Sequence, residues 1–245
     1  MSARIEKIIN RRLVLSYAAF DVLYCAEFGE DAVKPAGLRG LSPGATYAER
    51  IRLVEEVLAN LRGRGLVKAD NPVPPLLDTI RLLHGAHRRV YGWYATRKSN
   101  RETPGSFHIA ESDDLAVLAQ YENDNVTLKP VEWDKIHAAA LELPPRSQPV
   151  PGDEVVVPAK RASAPLDKNI QKFLDPSGLR FVMQVYTARK GRRGKEIVSE
   201  FPLHYCVGEH GAVMTVHKRP DEESEPRLHV IPATRATFLA TVQSL

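Results

Sequence analysis

Four histidines, His204, His210, His217 and His229, stand in the C-terminal part of the chain and are the residues best able to hold a metal. A metal centre needs three or four ligands converging on one point, usually with carboxylates behind them. These four are scattered over separate strand-like runs and turns, so surface or pocket-lining places are expected. Cys25 and Cys206 are the two cysteines, far apart and outside any C-x-x-C pair, which signals neither zinc nor redox chemistry. Each lies in an apolar segment, as a buried free thiol in a reducing compartment would. Asp113 and Asp114 could serve as an acid–base pair, but adjacent residues at a strand entry point apart, and a turn is expected. Tyr91, Trp93 and Tyr94 beside Arg88, Arg89 and Arg97 could stack on bases. The RNP-type pattern is missing, so core packing is expected for these rings.

A fifth candidate is the stretch SPGATYAERIRLVEEVLANLRGRGLV, from Ser42 to Val67, which opens like a glycine-containing phosphate loop. A P-loop needs a second glycine followed by Lys and Ser or Thr at fixed spacing, and neither follows. Thr46 and Glu49 instead have the spacing of a capping box. Ile51, Val54, Val57, Leu58 and Leu61 recur at helical spacing as one apolar stripe. Arg62 suits the negative end of the helix dipole, and Gly63 is the expected C-cap. Every residue of the stretch has a structural role.

With 245 residues, 43% hydrophobic and 26% charged, the chain is expected to be an ordinary globular protein able to bury a sizeable core. The N-terminal residues mix charge throughout, unlike a secretory signal, and no window resembles a membrane span. A cytoplasmic place is therefore expected. The net charge of +4 permits nucleic acid or an acidic partner without demanding either. The cluster Arg189-Lys190-Gly191-Arg192-Arg193 lies in a turn between two strand-like runs and reads as a solvated hairpin tip.

These residues must be positioned by the following elements. Leu13 to Phe28 is a strand running into a helix, or one buried helix. Gly29 to Gly44 is loop. A second helix follows Pro74-Pro75, with Leu76, Leu77, Ile80, Leu82 and Leu83 as its apolar set. Val90 to Arg97, Ser106 to Ala110, Leu115 to Tyr121 and Val126 to Pro130 form a meander of short strands, with turn chemistry at Glu122 to Asn125. Val131 to Leu143 is a helix, and Pro144 to Asp153 a proline-rich linker. The pattern then returns. A short strand spans Val155 to Val157 and a short helix Leu166 to Asp175. Strand-like runs follow at Leu179 to Arg189, Glu196 to Val207, Ala212 to His217 and Arg227 to Pro232, and a helix from Thr234 to Leu245 closes the chain.

Two alignments indicate a duplication. Tyr94-Ala-Thr-Arg-Lys98 matches Tyr186-Thr-Ala-Arg-Lys190. VTLKPVEWDKIHAAALEL from Val126 matches LHVIPATRATFLATVQSL from Leu228, with Pro130 and Pro232 in register. The halves are residues 10–143 and 153–245, joined by the linker 144–153, within one domain covering 1–245. A duplicated α+β chain without a catalytic motif points to a binder.

AAFDVLYCAEFG, SPGATYAERIRLVEEVLANLRGRGL, the hairpin LAVLAQYENDNVTLKPV with its helix, and VVVPA after the proline linker, in this order, resemble the EspG family. These are the cytosolic secretion-associated chaperones of ESX, or type VII, secretion systems in actinobacteria. The likeness runs from Ala18 to Ala159 and returns in HVIPATRATFLATVQSL. The resemblance implies an α+β, quasi-two-fold duplicated fold, with a central antiparallel sheet flanked by two helical bundles. It implies a non-catalytic role without cofactors. The expected partner is a PE–PPE heterodimer or a similar helical ESX substrate, bound at the exposed apolar tip of its bundle. Nucleic-acid binding and membrane insertion are not implied, and a weak homodimer is compatible with it.

The resemblance implies contacts through the loop between the second and third strands, the sheet and the C-terminal helical bundle. By position this loop is Arg97 to Gly105, RKSNRETPG, giving Arg97, Lys98, Asn100, Arg101 and Glu102 as partner-binding residues, with Phe107 and Ile109 directly after them. Charge, proline and length suit a mobile binding loop. Taken without the resemblance, the residues leave two other readings: a nucleic-acid binder using basic loops and aromatics, or an enzyme of unrecognised type.

Overall fold

The computed structural model describes residues 7–99, 101–158, 173–221 and 224–245. The fold is α+β, and the chain divides into two compact units. The first comprises residues up to Arg89 together with Ser106–Ile136; the second comprises Val90–Gly105 and His137–Leu245.

In the first unit, β1 (Leu13–Ser16) gives way at once to helix α1 (Tyr17–Phe28). Of the two readings of this segment, the strand running into a helix is the one observed. Ser16 marks the change: its hydroxyl accepts from the Ala19 amide at 3.1 Å and caps the helix. Helix α2 (Tyr47–Gly63) starts on the expected capping box, with Thr46 accepting from the Glu49 amide and Glu49 accepting from the Thr46 amide. Its end differs from expectation. The cap is Arg64, and Gly65 takes the left-handed φ of +68°. Leu66 N–H donates to the Leu61 carbonyl and Gly65 N–H to that of Arg62, both at 2.9 Å, which is the Schellman pattern. The buried stripe is Val57 and Leu61 flanked by Leu53, Val54 and Leu58, whereas Ile51 is 42% exposed.

A two-stranded ribbon, β2 (Val67–Lys68) and β3 (Asn71–Pro72), leads to α3 (Pro74–Gly85). Prolines in its first turn cost no hydrogen bond, because those amides have no acceptor within a helix. The unit's strands follow the order β1, β7 (Asn125–Val131), β6 (Leu115–Glu122), β5 (Arg101–Ser112), of which β5 contributes residues 106–112. Pairings β1–β7 and β6–β7 are antiparallel. The β6–β7 turn places Asn123 and Asp124 at φ of +48° and +56°, as a type I′ turn requires. Asp113, between β5 and β6, has φ of +54° and serves the expected turn. Phe20, Tyr24, Leu61, Leu76, Ile80 and Leu83 pack in one core with Val117, Ala119, Val126 and Leu128 of the sheet.

In the second unit the strand order is β4 (Arg88–Lys98, from Val90 on), β9 (Leu179–Lys190), β11 (Leu203–Gly208), β12 (Gly211–Lys218), β13 (Arg227–Pro232), β8 (Val155–Pro158). A further strand, β10 (Glu196–Val198), pairs with β9. The run expected to be continuous from Glu196 to Val207 is broken at its middle. Pro202 cannot donate to a ladder, and Ser199 instead exchanges hydrogen bonds with Thr187, N–H to carbonyl at 2.9 Å and amide to hydroxyl at 3.2 Å. The helix expected over 131–143 is also broken, into 3-10 turns at Trp133–Lys135 and Ala140–Glu142 around α4 (Ile136–Ala139). Pro144 has no N–H and cannot continue the hydrogen-bond ladder, so the segment, helical in backbone as far as Leu143 (φ −80°, ψ −47°), ends in a tight turn. Helix α5 (Arg235–Gln243) is capped by Thr234, whose hydroxyl accepts from the Thr237 amide at 3.0 Å. The helix expected over 166–175 lies, but for its last residues, outside the described residues.

Candidate partner-binding surface

The segment expected as a loop, Arg97 to Gly105, is mostly strand. β4 continues to Lys98 and β5 begins at Arg101, so only residues 99–100 connect them, with Ser99 at a φ of +53°. Alternation along the strands continues to the tip and gives the extra length a regular form. Arg97, Lys98, Arg101 and Glu102 are exposed there. Asn100 lies outside the described residues.

Arg97 fixes the hairpin in place. Its guanidinium donates to the Pro176 carbonyl at 2.8 Å and to the Glu102 carboxylate at 3.3 Å. With both side chains about half exposed, the ion pair itself contributes little, and the carbonyl contact orients the arginine. Lower in the hairpin, Tyr94 is buried, stacked on Phe181 at 5.7 Å and an interplanar angle of 24°. Phe107 and Ile109 are fully buried, so they cannot present side chains at a surface in this conformation.

The aromatic residues separate by strand parity. Tyr94 is core, as expected, but Trp93 is 45% exposed, against expectation. Tyr91 stacks on Tyr186 at 5.6 Å and 12°, and Trp93 meets Tyr186 edge-on at 6.1 Å. Tyr91 and Trp93 are two apart on β4 and share a face, whereas Tyr94 points to the other; the period of two was the signal that could have found this. A half-buried aromatic cluster with Trp93 exposed, on the strand that leads to a cationic tip, is a surface suited to protein contact.

The second hairpin, β9–β10, repeats the chemistry. Arg189, Lys190, Arg192 and Lys195 are near or at its tip and Ile197 and Val198 are exposed on β10. The tip is solvent-facing, as its glycine and charges required.

The remaining candidates for chemistry do not converge. His204 hydrogen-bonds Gln184 at 3.0 Å, and burial, with the neighbouring His217 second, holds its pKa below the ordinary value. His217 faces Phe201, His210 meets Phe173 edge-on, and His229 pairs with Glu154. Among the described residues no group of three or more His, Cys, Asp or Glu could hold a metal ion. Both cysteines are free; burial pushes the Cys206 thiol up to about 11 and raises that of Cys25, whose neighbour Asp21 adds to the effect. Neither is a ready nucleophile. Among the described residues no helix is long and apolar enough to cross a membrane.

A buried charge cluster holds the segment between α1 and α2. Asp21 is fully buried and receives Lys34 Nζ at 2.7 Å, Arg50 at 2.6 Å and the Ser42 hydroxyl at 2.7 Å. Burial alone would raise the Asp21 carboxyl, but these three donors outweigh it and hold the pKa below the ordinary value. Ser42, the first residue of the apparent phosphate loop, is thus a structural donor.

Known proteins place this architecture. The model of the EspG family matches residues 16–244. Among solved structures, the chain is similar to the Mycobacterium tuberculosis type VII secretion system chaperone EspG5, solved in complex with a PE25–PPE41 dimer. The TM-score is 0.70 at 15% identity, covering 95% of this chain and 94% of that one. At that identity the likeness shows the fold. No curated protein matches. With the family model matched from the end of β1 to the residue after α5, the chain belongs to the EspG family.

Proposed function

We propose that the chain is a non-catalytic chaperone of a type VII secretion system, acting in the cytoplasm. It binds the exposed apolar tip of a PE–PPE heterodimer or a related helical substrate, keeps it soluble and directs it to its secretion system. The observation that carries this reading is the family match over residues 16–244. The EspG5 structure, holding a PE25–PPE41 dimer on a fold covering 95% of this chain, supports it. An exposed apolar tip is an aggregation hazard until covered, and a specific interface buries about 800 Å² per partner. The exposed hairpin tip at Arg97, Lys98, Arg101 and Glu102, with the Tyr91–Trp93–Tyr186 face, is the surface assigned to that contact, and Asn100 is assigned to it by sequence position alone. Phe107 and Ile109 act beneath it as anchors.

The duplicated, quasi-two-fold arrangement belongs to the same reading. Tyr94–Lys98 on β4 and Tyr186–Lys190 on β9 lead into hairpins, and Pro130 and Pro232 lie at or next to the last residue of β7 and β13.

Co-expression with PE–PPE pairs from the same genome tests the function. One pair is expected to co-purify at a 1:1:1 ratio. Failure of every pair, together with retardation of duplex or single-stranded nucleic acid that weakens steeply with salt, would replace the chaperone reading with a nucleic-acid one.

A further inference from the structure

An open groove of about 640 Å³ lies in the second unit, between the proline-rich segment after α4 and the start of α5. Its lining includes Leu141, Pro144, Arg146, Gln148, Tyr205 and Arg235, and no acidic residue. Volumes of about 300 to 1,000 Å³ are usual for small-molecule sites.

Three features make this groove more than a surface depression. Tyr205, on β11, is only 6% exposed, its ring edge-on to Phe238 of α5 at 5.8 Å. Among the described residues its hydroxyl has no hydrogen-bond partner, and it lines the groove. The ring is buried while the hydroxyl itself opens to the groove, one end apolar and the other available as a donor. Burial raises its pKa, so it stays a donor. Arg146 and Arg235 both line the groove, and among the described residues neither guanidinium is paired with a carboxylate. Finally, Arg235 is the first residue of α5, so the positive end of a nine-residue helix opens at the groove. Two guanidiniums, a phenol donor and a helix N-terminus all call for the same thing, an acceptor bearing negative charge. Leu141, Pro144 and Pro145 supply an apolar wall beside them.

We propose that this groove binds a small organic oxyanion, a carboxylate or phosphate carried on a partly apolar body, with Arg146 and Arg235 flanking the anion and the Tyr205 hydroxyl donating to it. A guanidinium fork matches the paired oxygens of either group. The site goes beyond the chaperone reading and does not depend on it, because nothing in its chemistry involves the hairpin surface.

Titration calorimetry on the full chain at low ionic strength, with citrate and inorganic phosphate as probes, tests the site. At least one probe is expected to bind with a dissociation constant of about 1 mM or below; the tighter of the two identifies the anion preferred. Tyr205→Phe keeps the ring against Phe238 and is expected to weaken binding about tenfold. The double variant Arg146→Ala/Arg235→Ala is expected to abolish it, and unchanged melting of both variants separates these effects from unfolding. Absence of binding by both probes overturns the proposal. So does binding that survives in the double variant or is unaltered in Tyr205→Phe, because the anion would then sit elsewhere. Co-purification of a PE–PPE pair reads the chaperone function separately.

Discussion

Gly105 lies against the ring of Tyr94 so closely that no Cβ fits there: one built on Gly105 would run into the Tyr94 Cζ and hydroxyl. Tyr94 in turn stacks on Phe181. The missing side chain on β5 therefore lets a buried aromatic of β4 lie flat, and the exposed hairpin tip is supported by that contact.

Gly105→Ala is expected to destabilise the chain by about 1 to 3 kcal/mol, the usual cost of forcing a packed side chain aside. Urea unfolding measures it. In a double-mutant cycle with Tyr94→Ala the two losses should fall short of additive, since removing the ring removes the clash. Strict additivity would contradict the contact.

Asp21→Asn is expected to cost about 3 kcal/mol, because Lys34 and Arg50 would be left facing a neutral group in a buried place. The pH sign follows from the lowered pKa. The carboxylate's contribution is fully present above the ordinary value of 3.8 and is lost as pH falls through the lower folded value. Urea unfolding at neutral pH should show the loss, and acid titration of the variant should lack that component.

His108 gives a second pH dependence at higher pH. The ring is buried, with Nδ1 2.9 Å from the Ala36 carbonyl, and burial pushes its pKa down to about 4 from 6.5. Between those values the unfolded chain binds a proton that the folded chain refuses. Stability therefore falls as pH drops from 6.5 towards 4, by about 3 kcal/mol from this residue alone. Comparing melting curves of the wild type and His108→Gln across that range checks it. The variant should be less stable at neutral pH and have a flatter pH profile.

The double charge reversal Lys98→Glu/Arg101→Glu is expected to weaken binding of a co-purifying PE–PPE pair about tenfold. Both side chains are exposed, so stability should change by no more than about 0.5 kcal/mol. Surface plasmon resonance together with thermal melting separates the two quantities. Undiminished binding would move the partner surface away from this tip. Removing Arg97 to Gly105 outright is a poorer test, because it would take Gly105 and the Arg97–Pro176 bridge with it.

At the start of α2 and in the β6–β7 turn the signal is local and the residues alone carried it, whereas the end of α2 fell at Arg64 and Gly65 and not at Gly63. Thr46 and Glu49 specify a helix start through bonds three residues apart, and the helix starts there. Asn123 and Asp124 tolerate positive φ, and the I′ turn falls on them. The order of matching stretches from Ala18 to Ala159, with their return in HVIPATRATFLATVQSL, was enough to indicate the family, because that order is a property of the chain. Signals that depend on a neighbour distant in sequence were not legible. Trp93 and Tyr94 are adjacent and similar in chemistry, but strand parity sends one towards solvent and the other against Phe181. Ile51 and Val57 fall in one helical stripe, but only the latter reaches the core. Phe107 and Ile109 looked like the start of a binding surface, and the tertiary fold buried them. The groove at Tyr205 had no sequence signal, since Arg146, Tyr205 and Arg235 come together only when β11, the proline-rich segment and α5 pack. Short-range hydrogen bonding and backbone preference were thus determined by the sequence itself, and burial, exposure and the convergence of charges were decided by which distant segments the folded chain sets side by side.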